Sequence, residues 1–86
     1  MPIPRLFIAY YTVYTMIQQE LQQLIHIGDR LSNTDIRRIL QIHYDRHNLG
    51  RRAKATDLSL YGFITKRSII SANGKRAEGV KVVDIV

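Results

Sequence analysis

From Leu6 to Ile27 apolar residues return at steps of three and four (Leu6, Tyr10, Val13, Ile17, Leu21, Leu24), the spacing of one face of an α-helix. Residues 18–23, QQELQQ, supply good helix formers on the solvated side, and Gly28 is a natural stop, so the pattern predicts a helix over about 6–27. Phe7, Tyr11 and Tyr14 stand beside this stripe and widen the apolar arc of the N-terminal half beyond what a small core consumes. These three are the candidates for a homodimer interface.

A second helix, over about 33–48, is announced by LSNTDI. Ser32 at the N-cap with Asp35 three residues on is a capping-box arrangement, and Leu31 with Ile36 can staple it. Ile36, Ile39, Leu40 and His43 mark its apolar face, Arg37, Arg38, Gln41, Asp45 and Arg46 are left to solvent, and Asn48 or Gly50 can supply a left-handed cap. The basic stretch that follows predicts a short third helix over about 52–61. Ala55, Leu58 and Tyr61 fall on one side, Arg52, Thr56 and Ser59 on the other, Arg51 and Lys54 flank it, and Gly62 ends it.

Residues 65–86 read as a β-hairpin, with Thr65–Ser71 and Val80–Val86 as arms. Asn73-Gly74 between β-branched runs is a strong signal for a type I′ turn, which needs positive φ at both central residues. A strict two-residue loop sets Ile69 opposite Glu78, an awkward pair, which predicts a bulge near Gly79. Lys75 and Arg76 then sit at the tip of a stiff ribbon.

Two helices, a short basic helix and a hairpin make an α+β chain in the order of the winged helix-turn-helix. The segment RAKATDLSLYGFITKRSIISANGKRAEGVKVV is similar to the small winged-helix domains at the C-terminal ends of phage and plasmid primase-helicases, with K-x-T-D-L…Y-G leading into a ribbon tipped NGKR. The resemblance covers residues 31–83 loosely and 52–83 better. It implies a third helix in the major groove and a hairpin wing on the backbone or minor groove, in the replication or transcription control of a phage, virus or plasmid-like element.

Charge points the same way without the resemblance. The 86 residues form a single domain with formal charge +6 and pI about 10.1, which suits a polyanionic partner. The excess is local: residues 1–43 carry net +1 and residues 44–86 net +5. Within 51–76 seven cations face Asp57 alone.

Other chemistries find little material. Cysteine is absent, which removes disulfides, thiolate catalysis and cysteine-ligated zinc. His43 and His47 stand one helical turn apart, as in the zincin motif, but Tyr44 occupies the place of its catalytic glutamate and no third ligand is evident, so no metal or other cofactor is expected. There is no Gly-rich phosphate loop, no carboxylate pair at catalytic spacing and no plausible serine–histidine–carboxylate set, so the chain is expected not to be an enzyme and to take no small-molecule substrate. The most apolar stretch, Leu6–Ile17, is 12 residues against the roughly 20 that span a bilayer, and no signal-peptide cleavage site follows it. That predicts no membrane contact and a place in the cytoplasm or the host-cell interior.

The expectation is double-stranded DNA binding. Arg52, Thr56 and Ser59 are the candidates for base contacts, since arginine pairs bidentately with guanine while threonine and serine discriminate poorly. Arg51, Lys54, Lys66, Arg67, Lys75 and Arg76 are the candidates for backbone phosphates. The alternatives are a helical protein-interaction or dimerisation module, and an RNA-binding domain using the same basic patch.

Overall fold

The computed structural model describes the backbone of residues 5–86 and the side chains from Thr12 onward. The chain is α+β, with three helices and one three-stranded antiparallel sheet among the described residues. α1 spans Arg5–Leu24, β1 Arg30–Ser32, α2 Asn33–Arg46, a third helix of 3₁₀ type Ala55–Tyr61, β2 Phe63–Ala72 and β3 Lys75–Ile85. The sheet order is β1-β3-β2, so the last strand in sequence lies in the middle.

α1 stops at Leu24, three residues before the expected end. Ile17 and Leu21 form its buried line, which Ile25 continues just past its end, while Leu24 is 58% exposed. The buried positions thus follow steps of four, and the expected stripe ends one residue out of phase. α2 begins where Ser32 Oγ accepts the Asp35 N–H at 3.1 Å. It ends on Asn48, whose φ of 54° is left-handed: the Asn48 N–H donates to the Asp45 carbonyl and the Leu49 N–H to the Tyr44 carbonyl, the paired bonds of a Schellman cap.

The core joins Ile17 and Leu21 of α1, and Ile25 just after it, to Ile36, Leu40 and Tyr44 of α2, Leu58 and Tyr61 of the third helix, and Phe63 and Val82 of the sheet. Ala53, between α2 and the third helix, is buried with them.

β2 and β3 close on Asn73 and Gly74, both at positive φ (52° and 76°), with Ala72 paired to Lys75 across the turn. The bulge is not at Gly79. Ile64 pairs with Asp84 and Thr65 with Val82, so Val83 is the extra residue. Ile69 does pair with Glu78, and the pairing is tolerated because both are exposed and Glu78 accepts a hydrogen bond from Arg67 at 2.6 Å.

Gly79 answers a different need. It pairs with Ser32 on one side and Ser68 on the other, and a Cβ there would come within 2.8 Å of Ser32 Cα and of Ile70 Cγ1, and closer still to the Leu31 carbonyl. Glycine lets β1 approach the middle of the hairpin.

Candidate nucleic-acid interface

The third helix is held from inside by Asp57. This carboxylate is 6% exposed and accepts the Lys54 N–H at 3.1 Å, bonding the backbone where the helix starts. It also accepts from Tyr44 Oη at 3.2 Å and pairs with Arg51 at 3.3 Å, while Tyr61 Oη donates to Tyr44 Oη at 3.0 Å. Burial pushes the Tyr44 and Tyr61 phenols up, and the Asp57 carboxylate raises the Arg51 guanidinium. Gln41 ties the preceding connection to α2 by accepting the Ala53 N–H at 2.8 Å and donating to the Arg51 carbonyl at 3.2 Å.

The helix so placed has seven residues, and its outward side carries Thr56, Ser59 and Leu60. Side chains three apart eclipse in a 3₁₀ helix, so Thr56 and Ser59 stack in one column, with Ser59 Oγ donating to the Thr56 carbonyl at 3.0 Å. Arg52 lies before the helix, in the connection, because the helix begins at Ala55 rather than near residue 52. It is exposed, as is Lys54 two residues on.

Of the residues expected at phosphates, Arg51 is exposed but held by partners: besides Asp57 it reaches Tyr14 Oη at 3.4 Å and lies over the Tyr44 ring. Arg67 is paired with Glu78. Lys54, Lys66, Lys75 and Arg76 are exposed and, among the described residues, have no carboxylate within ion-pair distance. Lys75 and Arg76 flank the turn opposite Ala72 and Ser71.

Of the three aromatics expected at a dimer face, Phe7 and Tyr11 lie outside the described side chains. Tyr14 is half-buried and packs on Tyr61 with ring centroids 5.8 Å apart.

His43 and His47 converge on one carboxylate. Glu20 lies with Oε1 3.2 Å from His43 Nδ1 and 3.0 Å from Arg46 Nη1, and with Oε2 against His47 Nε2. Burial alone would raise the Glu20 carboxyl, but hydrogen bonds from His47, His43 and Arg46 outweigh it and hold the group below its ordinary value. The cluster joins α1 to α2.

Three features escape a reading of the sequence. Asp57 stands out there only as the lone acid of a basic stretch, although its place three residues after Lys54 is the N3 position of a helix start. Arg30 and Lys81 carry no local signal, because only strand pairing brings them together. Among the described residues no group of metal-ligating side chains is arranged to hold an ion, and no helix is long and apolar enough to cross a membrane. Comparison with family models, with curated proteins and with solved structures finds no match for this chain.

Proposed function

We propose that this domain binds double-stranded DNA in the manner of a winged helix, with the third helix toward the major groove and the β2–β3 hairpin along the backbone. The element order supports this reading: two helices, a short third helix, then a long hairpin whose inner strand also pairs with a short strand between the first two helices. The observation that carries it is the state of the hairpin cations. Lys66, Lys75, Arg76 and Lys81 are exposed on a rigid ribbon with no neutralising carboxylate among the described residues, whereas Arg46 and Arg51, on the helical side, each have one.

In this reading Lys54, Lys66, Lys75 and Arg76 hold phosphates and fix register without reading sequence. Arg67 joins them by exchanging an exposed pair with Glu78, which costs little. Arg51 contributes mainly by setting the third helix through Asp57. Thr56 and Ser59 face base edges, and Arg52 reaches guanine from the connection. The setting would be replication or transcription control in a phage, virus or plasmid-like element, without catalysis.

A titration of duplex DNA at two salt concentrations, with competitor RNA, tests the proposal. Binding that weakens steeply with salt and resists RNA competition is expected. A flat salt response would leave the protein-interaction reading, and preferential loss to RNA would move the same surface to RNA.

A further inference from the structure

The sheet has one face on the core and one open. Strand register puts Leu31, Val80 and Val82 on the core side, and Arg30, Lys81 and Lys66 on the open side. Those three cations stand in line across the three strands: Arg30 of β1 pairs with Lys81 of β3, which pairs with Lys66 of β2. Side chains opposite one another in an antiparallel pair lie about 5 Å apart at Cβ, and like charges there repel. Lys81 therefore has a cation on each side, and none of the three has a carboxylate within ion-pair distance among the described residues. Asp84, further along the open face of β3, bonds the Ile85 N–H with its Oδ1 at 2.8 Å.

Two ordinary explanations fail here. Lysine is common on edge strands because it blocks edge-to-edge pairing, which accounts for Lys66 on β2. Lys81 is on the central strand, which has no open edge to guard. A purely solubilising charge would also be mobile, and Arg30 is not: its Nε and Nη2 donate to Ser68 Oγ at 3.2 and 3.1 Å, and Nη2 donates to the Ile69 carbonyl at 2.7 Å. To reach β2 from β1 the side chain spans the central strand. Both acceptor groups are neutral, so the guanidinium is fixed in place with its charge intact.

We infer that the open face of the sheet is a phosphate-binding strip in which Arg30, Lys66 and Lys81 contact the backbone of duplex DNA. Alternation along β3 puts Lys75 on the same face as Lys81, six residues and about 20 Å away at roughly 3.3 Å per residue. The strip thus runs from the sheet to the hairpin tip, long enough to follow a strand of duplex over several phosphates. An anion in the row removes the mutual repulsion of the three cations, so the charge arrangement is satisfied only in the complex. The inference rests on the DNA-binding reading above and extends it from the tip to the sheet.

The test uses the full chain, a random-sequence duplex of about 20 base pairs and a series of salt concentrations, with the double variants Lys66→Gln/Lys81→Gln and Lys75→Gln/Arg76→Gln beside the parent. Each phosphate left without its cation flattens the slope of log K against log salt by about 0.9. The sheet variant is expected to lose about 1.8 of slope and roughly 60-fold of affinity at 0.1 M salt, while melting no lower than the parent. If its slope and affinity match the parent's while the tip variant loses both, the inference is overturned and DNA binding through the tip stands. If the parent itself shows no salt-dependent binding, both readings fall. If the sheet variant weakens only because it melts lower, the row is structural and the inference is again overturned.

Discussion

The cations of this molecule live under two regimes. On the helical side acids answer Arg51 (the buried Asp57), Arg38 (Asp35) and Arg46 (Glu20, which also takes His43 and His47). Arg37, Arg52 and Lys54 have no carboxylate within ion-pair distance among the described residues. On the sheet and hairpin they are mostly unanswered, and the ion pair found there, Arg67 with Glu78, is exposed at both ends. The same residue types therefore do different things according to whether a carboxylate stands within reach. Where it does, the charge positions an element. Where it does not, the charge faces outward and costs the folded state a little repulsion, a cost that makes sense against a polyanion.

If the helical-side charges are structural, breaking one should have the largest effect on folding. Asp57→Ala leaves Arg51, the Tyr44 hydroxyl and the Lys54 N–H without their acceptor; Arg51 is 39% exposed and can turn to water, but the other two donors lose about 1–3 kcal/mol each. Urea denaturation should register that loss, with a fall in Tm of about 10 °C or more for a domain of this size. A loss under about 1 kcal/mol would mean that water or a shifted side chain replaces the carboxylate.

The tip should behave in the opposite way. Lys75→Ala/Arg76→Ala should leave stability within about 0.5 kcal/mol, since both side chains are exposed. DNA affinity should fall for all sequences alike, by roughly 60-fold at 0.1 M salt if both cations hold phosphates. Arg52→Ala should instead weaken a preferred site by about 1–3 kcal/mol and spare random DNA. A tip variant that binds like the parent at every salt concentration would reduce the hairpin charge to solvation.

Glu20 gives a smaller effect with a defined pH window. Its carboxyl titrates below its ordinary value of 4.5 in the folded chain. The stabilisation it brings is therefore complete above about that pH and is lost as pH falls through the depressed value. Glu20→Gln should cost about 1–2 kcal/mol near neutrality, the size of charge-assisted hydrogen bonds removed from a half-buried site. The gap between parent and variant should close as pH drops below 4.5. A gap unchanged down to about pH 3 would show that the carboxylate's charge is not what His43, His47 and Arg46 recognise.

Much of this division is legible in the sequence, for local reasons. Asn73-Gly74 fixes the turn by its φ requirement and Ser32 fixes the start of α2 by its hydroxyl, and both signals lie within a few residues of what they determine. The departures need information from far along the chain. β1 is the three residues Arg-Leu-Ser, too short for a pattern, and exists because β3 offers it a partner. The bulge falls at Val83, between the Ile64–Asp84 and Thr65–Val82 pairs, where nothing in the local sequence marks it. The third helix starts at Ala55 because Asp57 holds Lys54, which leaves Arg52 outside it. Lys66 can be picked out from its place near other cations, but Arg30 and Lys81 lie 51 residues apart and meet only through the register of three strands.

The smallest expected effect separates the two regimes most cleanly, because it needs no DNA. Lys81 stands between Arg30 and Lys66 at cross-strand positions, on the central strand. Glutamine keeps two of lysine's four methylenes over the sheet and removes the charge. If the row exists for a ligand, Lys81→Gln should stabilise the free protein, by about 0.2–1 kcal/mol for relief of like-charge pairs at this spacing. The gain should shrink as salt rises, because the screening length falls to about 3 Å at roughly 1 M. Thermal melts of parent and variant at low and high salt measure both quantities. A destabilised variant would place Lys81 with Arg51 and Arg46 among the charges that hold the fold, and a gain insensitive to salt would trace the effect to strand propensity rather than to repulsion.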